Sequence, residues 1–282
     1  MKTWRVLYAL ALALLSACTT LESQSEFLAG RRALLRGEPD NALTYFERIA
    51  GNHPGFVSDS VLPRRSVWTY VGRAHYNAGR YAAAETAFEK AVSHLGEDYV
   101  ARMFLALTLL RPAAPTPSSN AFNLQEVTFA LREGVEPKRV AILARDRGVA
   151  FDLTKETESQ LRTIGADNFL VNELKKLRSE STRQAKASEA RVAQGRKELT
   201  TALTGLREWL DDFIRNAPLG RFWDPGQEIP QQIQSLMKQT AAPPINWDSV
   251  ISDTEWLGSR LEEESDRARR DESAERQRQH RR

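Results

Sequence analysis

Cys18 is the residue whose position in the chain most clearly implies chemistry. It is the only cysteine among 282 residues, so it has no disulfide partner within the chain. A thiolate is a nucleophile, and the two preceding residues, Ser16 and Ala17, are small enough for an enzyme to approach the backbone. This combination predicts covalent modification of the thiol beside a peptide bond that is cut.

The residues ahead of Cys18 have the three parts of an export signal. Lys2 and Arg5 are positively charged, and a ten-residue apolar run from Val6 to Leu15 follows them. That run is shorter than the roughly 20 residues that a permanent membrane-spanning helix needs. We therefore expect residues 1–17 to be a signal peptide that is absent from the mature protein.

The sequence Leu15-Ser16-Ala17-Cys18 resembles the lipobox of bacterial lipoproteins. The resemblance implies that Cys18 receives a diacylglycerol and, after cleavage, an acyl chain such as palmitate, with residues 18–24 as a lipidated tether. Thr19 follows instead of Asp, which by resemblance to enterobacterial sorting rules favours the periplasmic face of the outer membrane over the inner membrane. The alternative is an ordinary signal peptide with an incidental cysteine.

Residue types that catalyse reactions or hold metals are not arranged for either task. The four histidines are His53, His75, His94 and His280. Neither His75 nor His94 has a second histidine or a cysteine four residues away, and the chain lacks the nucleophile-elbow and phosphate-loop motifs. Neighbouring acids, as at 211–212 and 262–264, are interpreted as solvated charge. We expect no catalytic site, metal or cofactor; an enzyme with an unrecognised site is the alternative.

A run of small and apolar residues between 65 and 98 has the spacing of a helix–turn–helix repeat. Its members are Trp68, Gly72, Tyr76, Gly79, Tyr81, Ala84, Phe88 and Ala91. The run resembles a tetratricopeptide repeat (TPR), a unit of about 34 residues. The resemblance implies that Gly72 and Ala84 lie where the two helices cross and that Gly79 allows the turn.

A weaker copy of this repeat lies upstream, from Ser23 to Phe56, and the apolar segment from Tyr99 to Leu110 resembles the first half of a third copy. Helical repeats bury their apolar faces only against neighbours, and about three are needed for stability. We therefore expect residues 25–110 to form a short TPR-like array that another segment caps.

A candidate peptide-binding groove follows from the same resemblance. In TPR proteins the first helices of successive repeats line a concave groove that takes an extended peptide or a partner's helix. The matching positions here are Arg31, Thr69, Arg73, Tyr76 and Asn77. Arginine and asparagine there would bind the carboxylates or backbone of a peptide. The alternative is that these residues are ordinary solvated or packing residues.

Proline and charge patterns divide the rest of the chain. Three prolines make residues 111–120 a linker, and helical patterns return over 121–178 as a small helical module. Residues 179–216 have the apolar stripe of an amphipathic helix or coiled-coil arm, which either packs back on the body or self-associates. We expect the Pro/Gly-rich segment 217–245 to be irregular, and 246–282 to be a helix with a solvated or frayed charged tail.

The predicted fold is all-α: a short TPR-type helical array, a small helical bundle and a long charged C-terminal helical region. Lys and Arg number 40 against 37 Asp and Glu, so we expect no nucleic-acid partner. We expect a membrane-anchored adaptor that binds proteins or peptides of the cell envelope, as in outer-membrane assembly, pilus or secretion machinery, with no small-molecule substrate. The alternative is a structural envelope lipoprotein whose helical arm self-associates or contacts the cell wall.

Replacing the thiol tests the anchor. Because attachment would depend on acyl chains, we expect the Cys18→Ser form to leave envelope membranes in a carbonate wash that retains the wild type. Mass spectrometry of the wild type should find a mature chain that begins at acylated Cys18. An uncleaved, unacylated N-terminus, or a Cys18→Ser form that still sediments with envelopes, contradicts the prediction.

Overall fold

The computed structural model describes residues 22–58, 63–111, 121–216, 228–241 and 243–281. Within these ranges the chain is all-α, as predicted, with eleven helices and one short two-stranded sheet. Cys18, the signal peptide and most of the proline linker lie outside the described residues, so the predictions for them stay predictions. No described helix is both long and apolar enough to cross a membrane.

The chain forms two compact units. Of the described residues, those up to Leu110 and those from Gln194 onward form the first unit, and those from Arg111 to Ala193 form the second. The C-terminal segments, which the sequence analysis separates from the repeats, therefore belong to the same compact unit as the repeats. The long helix α9 contributes its first part to the second unit and its last part to the first.

Two helix–turn–helix pairs and a fifth helix open the first unit. The first pair is α1 (22–35) and α2 (Pro39–Asn52), and the second is α3 (Val67–Asn77) and α4 (Tyr81–His94). Helix α5 (Tyr99–Leu110) follows, with the bounds that the sequence predicts. The pairing agrees with the repeat pattern in the sequence.

The same glycine–phenylalanine contact closes both pairs. A Cβ atom on Gly72 would lie 2.5 Å from the ring of Phe88, and one on Gly30 would lie 2.7 Å from the ring of Phe46. Each phenylalanine is fully buried. The two contacts are 42 residues apart in the chain, so the upstream copy repeats the packing of the clearer one.

The turns within the pairs also correspond. Gly37 and Gly79 both have φ of +74°, a backbone conformation that favours glycine because it lacks a Cβ atom. The longer connection between the pairs is framed by β1 (Val57–Ser58) and β2 (Arg65–Ser66), which are antiparallel. Ser66 then caps α3 by accepting a hydrogen bond from the Trp68 backbone N–H at 3.3 Å.

Helix α9 (Asn168–Asn216) packs its apolar stripe inside the first unit. The buried members of the stripe are Leu199, Leu203, Leu206, Leu210 and Phe213. Gly195 and Gly205 allow close packing, because Cβ atoms there would lie 2.9 Å from Leu110 and 2.3 Å from Tyr99. For residues 199–213, the interpretation in which the helix packs back on the body is confirmed.

Two predictions about the C-terminal half of the chain are wrong. The sequence analysis places a boundary between residues 178 and 179, but α9 runs through this point, because neither proline nor glycine occurs between 168 and 194 to end the helix. It also expects irregular chain over 217–245, whereas Glu228–Ala241 form helix α10. Pro230 is tolerated because it lies in the first turn, where its missing N–H breaks no helical hydrogen bond.

The charged tail is also partly mispredicted. Helix α11 runs from Trp247 to His280, with Asn246 as its N-cap. Glu262, Glu264, Ser265 and Ala268 are all buried, so this part of the tail is neither solvated nor frayed. Its residues pack against α5 and α10 and against the side chains described below.

The second unit is a small helical bundle, as predicted. It contains α6 (Leu124–Arg132), α7 (Pro137–Arg147), α8 (Lys155–Thr163) and the start of α9. Thr154 caps α8, as the sequence predicts, by accepting a hydrogen bond from the Thr157 backbone N–H at 3.2 Å. The fully buried core residues include Val127, Val140, Leu161, Leu170 and Leu174.

A methyl group added at Gly72 tests the helix crossing. Because Phe88 is fully buried and its ring occupies the space that the methyl needs, Gly72→Ala should lower the free energy of unfolding by about 1–3 kcal/mol. Gly51→Ala is the matched control, since it is helical and nothing lies within 4 Å of its added Cβ. It should be neutral or slightly stabilising.

Urea unfolding followed by tryptophan fluorescence makes this measurement. The described tryptophans, Trp68, Trp209, Trp247 and Trp256, all belong to the first unit, so the signal reports its unfolding. Equal stability of the Gly72→Ala and Gly51→Ala forms would contradict the close crossing.

Candidate functional site

The groove arginines converge on one carboxylate of α11. Arg31 of α1 donates from Nε to Glu262 Oε1 at 3.1 Å, and Arg73 of α3 donates from Nη1 to Glu262 Oε2. Arg65 of β2 places Nη1 3.7 Å from the same Oε2 atom. Glu262 is 3% exposed, so three guanidinium groups surround a carboxylate that is withdrawn from water. We name these four side chains the Glu262 cluster.

Contacts on both sides of Glu262 extend the interface along α11. One helical turn onward, Asp266 accepts hydrogen bonds from Arg31 Nη2 at 2.9 and 3.0 Å. Two turns before Glu262, Glu255 accepts a hydrogen bond from the Tyr76 hydroxyl at 2.5 Å. Between them Gly258 allows close approach, since a Cβ there would lie 2.9 Å from the Phe104 ring. Residues of α1, α3 and α5 therefore contact one face of α11.

The electrostatics of the cluster keep Glu262 ionised. Burial by itself would raise the pKa of Glu262, but the positive charges of Arg73, Arg65 and Arg31 lower it to about 2. The guanidinium of Arg73 also lies over the Phe104 and Tyr70 rings, 5.4 and 6.0 Å from their centroids. Arg73 is thus held in place by two rings as well as by the carboxylate.

The cluster has more hydrogen-bond donors than its carboxylate can satisfy. Among the described residues, Arg65 Nε and Nη2 and Arg73 Nε are buried and have no hydrogen-bond partner. Removing the carboxylate would take the Glu262 counter-charge away from the buried guanidinium groups of Arg65 and Arg73, which is strongly unfavourable. The surface formed by α1, α3 and β2 is therefore built to hold negative charge.

Asp98 organises the helix ends behind this surface. It accepts hydrogen bonds from the Ser66 backbone N–H at 2.8 Å, from the Ala101 backbone N–H at 2.9 Å and from the Thr69 hydroxyl. Burial raises the pKa of Asp98, and the three hydrogen bonds oppose that rise. Asp98 thereby ties the start of α3 to the start of α5 and fixes the positions from which Arg65 and Arg73 reach Glu262.

The structure brings together three of the five predicted groove residues. Arg31, Arg73 and Tyr76 all contact α11. Thr69 is fully buried, and its hydroxyl donates a hydrogen bond to Asp98. Asn77 is exposed.

Sequence reasoning missed the acidic half of the site. The interpretation of residues 262–264 as solvated charge is wrong for Glu262 and Glu264, which are 3% and 2% exposed. It also missed Arg65, because that residue is the first of the 65–98 repeat and does not match any of the positions that line the groove in the resemblance. Asp98 left one usable signal: an acidic residue directly before a predicted helix is a common N-cap.

Metal ligands are not grouped in the part of the chain that is described, where no cluster of three or more His, Cys, Asp or Glu residues has metal-binding geometry. His75 accepts a hydrogen bond at Nδ1 from Arg80 Nε at 3.1 Å. Partial burial and the charge of Arg80 lower the pKa of His75. The three arginines of the Glu262 cluster are fixed cations that hold one carboxylate, that of Glu262.

Comparison with known proteins gives no family for this chain: no family model, no curated protein and no solved structure matches it.

The pH dependence of stability tests the Glu262 cluster. With a pKa of about 2 in the fold against an ordinary 4.5, ionised Glu262 stabilises the protein above pH 4.5 and loses this effect as the pH falls toward 2. We expect Glu262→Gln to lower the free energy of unfolding at pH 7 by about 3 kcal/mol and to flatten its dependence on pH over that interval. Tryptophan-detected urea unfolding at several pH values measures both.

Glu263→Gln is the matched control, because Glu263 is exposed and pairs only at the surface with Arg260. Its effect should stay within about 1 kcal/mol. The raised pKa of Asp98 has the opposite sign, favouring the folded state at low pH, but it is common to all variants. A Glu262→Gln form with wild-type stability and pH dependence would refute the arrangement.

Proposed function

We propose that this protein is a lipid-anchored adaptor of the bacterial cell envelope that binds helical segments of other envelope proteins through its TPR-like repeats. Its site of action would be the periplasmic face of the outer membrane, in an assembly, pilus or secretion system. In this proposal the protein is not an enzyme and uses no cofactor, and its partners are proteins or peptides.

One observation carries the binding part of the proposal. The first helices of the repeats already hold a helix, α11, through carboxylates on arginines and a tyrosine hydroxyl. A surface that binds one helix through arginine–carboxylate and tyrosine–carboxylate contacts has the chemistry to bind others. Docking of a helix into a groove is a common mode of peptide recognition. At the Glu262 cluster itself, α11 would have to leave before another acidic helix could enter.

The anchoring part rests on the sequence around Cys18. That residue precedes α1 by only a few positions, so acylation there would hold the repeats close to a membrane surface.

The competing structural function, self-association through the arm, gains no support from the apolar stripe of α9. Its side chains from Leu199 to Phe213 are buried within the first unit and are not free to form a coiled coil with another copy. The remaining exposed part of α9, near residues 182–190, is mainly polar and charged. This composition favours a solvated helix over a self-associating one.

Site-specific photocrosslinking in living cells tests the adaptor function. A photoreactive side chain at Asn77, the exposed residue of the predicted groove, should form covalent adducts with another envelope protein. The matched control is the same side chain at Glu89, which is also exposed but lies on the second helix of that pair. Mass spectrometry identifies the adducts.

The proposal expects an adduct at Asn77 that is absent at Glu89, and expects the Cys18→Ser form to lose it. No adduct at Asn77, or identical adducts at both positions, would count against a groove-based adaptor.

A further inference from the structure

An open cleft lies within the first unit, between α1 and the C-terminal half of α11. Its volume is about 730 Å³. The residues that matter for its chemistry are Leu28, Arg32, Leu35, Asp266, Arg270 and Ala274. Unlike the Glu262 cluster, this space is not filled by a side chain of α11.

Two leucines give the cleft an apolar wall. Leu28 and Leu35 are 39% and 64% exposed, although both are large apolar side chains. They are seven residues apart on α1, so they share one face of the helix and are separated by about 10 Å along its axis. Together they offer a ligand in the cleft two apolar contacts on one concave surface, with polar residues around them.

The charge of the cleft is positive. Its lining includes four arginines and a single acidic residue, Asp266, which is already bound to Arg31. Arg32 and Arg270 are exposed, and neither has an ion-pair partner among the described residues. A ligand that brings carboxylates would complement this surface.

The cleft is continuous with the surface that holds α11. A smaller cavity of about 190 Å³ shares Leu35, Asp266 and Arg270 with it and reaches Arg73 and Glu262. The cleft therefore extends the interface on which this protein already binds an acidic helix, and it does so without requiring α11 to move.

We propose that this cleft is the docking site for an acidic amphipathic helix of another protein. Two apolar residues about two turns apart on that helix would contact Leu28 and Leu35, and flanking carboxylates would face Arg32 and Arg270. The inference rests on the proposed adaptor function and names the class of partner segment. It also places the partner beside α11 and leaves the Glu262 cluster intact.

A designed peptide tests the cleft. The protein used is residues 19–282. The probe is a fluorescent helical peptide with two leucines seven residues apart, and glutamates lie three and four residues from each leucine. Fluorescence anisotropy should show saturable binding. Leu35→Ser with Arg270→Glu should weaken binding by at least about tenfold. Because both residues are exposed, urea unfolding should remain as in the wild type.

The matched control is Leu143→Ser with Arg207→Glu, which makes the same two changes at exposed positions outside the cleft. It should bind the peptide as the wild type does. The same peptide with lysine in place of glutamate should bind at least about tenfold more weakly to the wild type. The inference is overturned if no binding occurs at about 1 mM peptide, if the two peptides bind equally, or if the cleft variant and the control behave alike.

Anionic phosphatidylglycerol vesicles form the second arm of the experiment, since a lipid surface also offers negative charge and apolar groups. Binding of vesicles that depends on Leu35 and Arg270, without binding of the peptide, assigns the cleft to a membrane and overturns the inference. The result at Asn77 is independent. A partner adduct there together with a cleft that binds no peptide removes this inference and leaves the proposed function standing.

Discussion

The ionised carboxylate of Glu262, buried among three guanidinium groups, is the interaction on which the arrangement of the first unit depends. A charge withdrawn from water is tolerated only when opposite charge and hydrogen bonds replace the lost solvation. Arg31, Arg65 and Arg73 come from α1, β2 and α3, so one side chain of α11 constrains three separate elements. Helix α11 can be placed on this surface in few registers, because a shift by one residue would bury a different side chain against the arginines.

The same interaction explains how an incomplete repeat array is capped. Helix α5 is apolar on all sides, and nearly every residue from Val100 to Leu110 is buried. A helix of that kind needs neighbours around its whole circumference. Helix α4 supplies one side, the end of α9 approaches through Gly195 and Gly205, and α11 approaches through Gly258. The C-terminal segments therefore complete the hydrophobic core that two and a half repeats cannot close.

The surface that α11 caps is also the surface that we propose for binding. The face that a TPR-like array would offer to a peptide is occupied along Arg31, Arg73 and Tyr76 by the chain's own acidic helix. The open part of that face lies beyond Asp266, where Leu28, Leu35 and exposed arginines line a cleft. The chain's own acidic helix therefore pairs with the buried arginines of this face, while the cleft beside it stays open.

The sequence by itself determined the all-α class, the two helix pairs, the bounds of α5 and the cap at Thr154, because each depends on local spacing or on a short repeat. Only the tertiary structure decided that Glu262 is buried, that α10 is a helix and that α9 packs back on the repeats. Arg31 and Glu262 are 231 residues apart, and nothing in the local pattern of a charged helix reveals which of its carboxylates will meet a distant arginine. Burial of charge is a property of the partner surface, and so it becomes visible only when that surface is assembled.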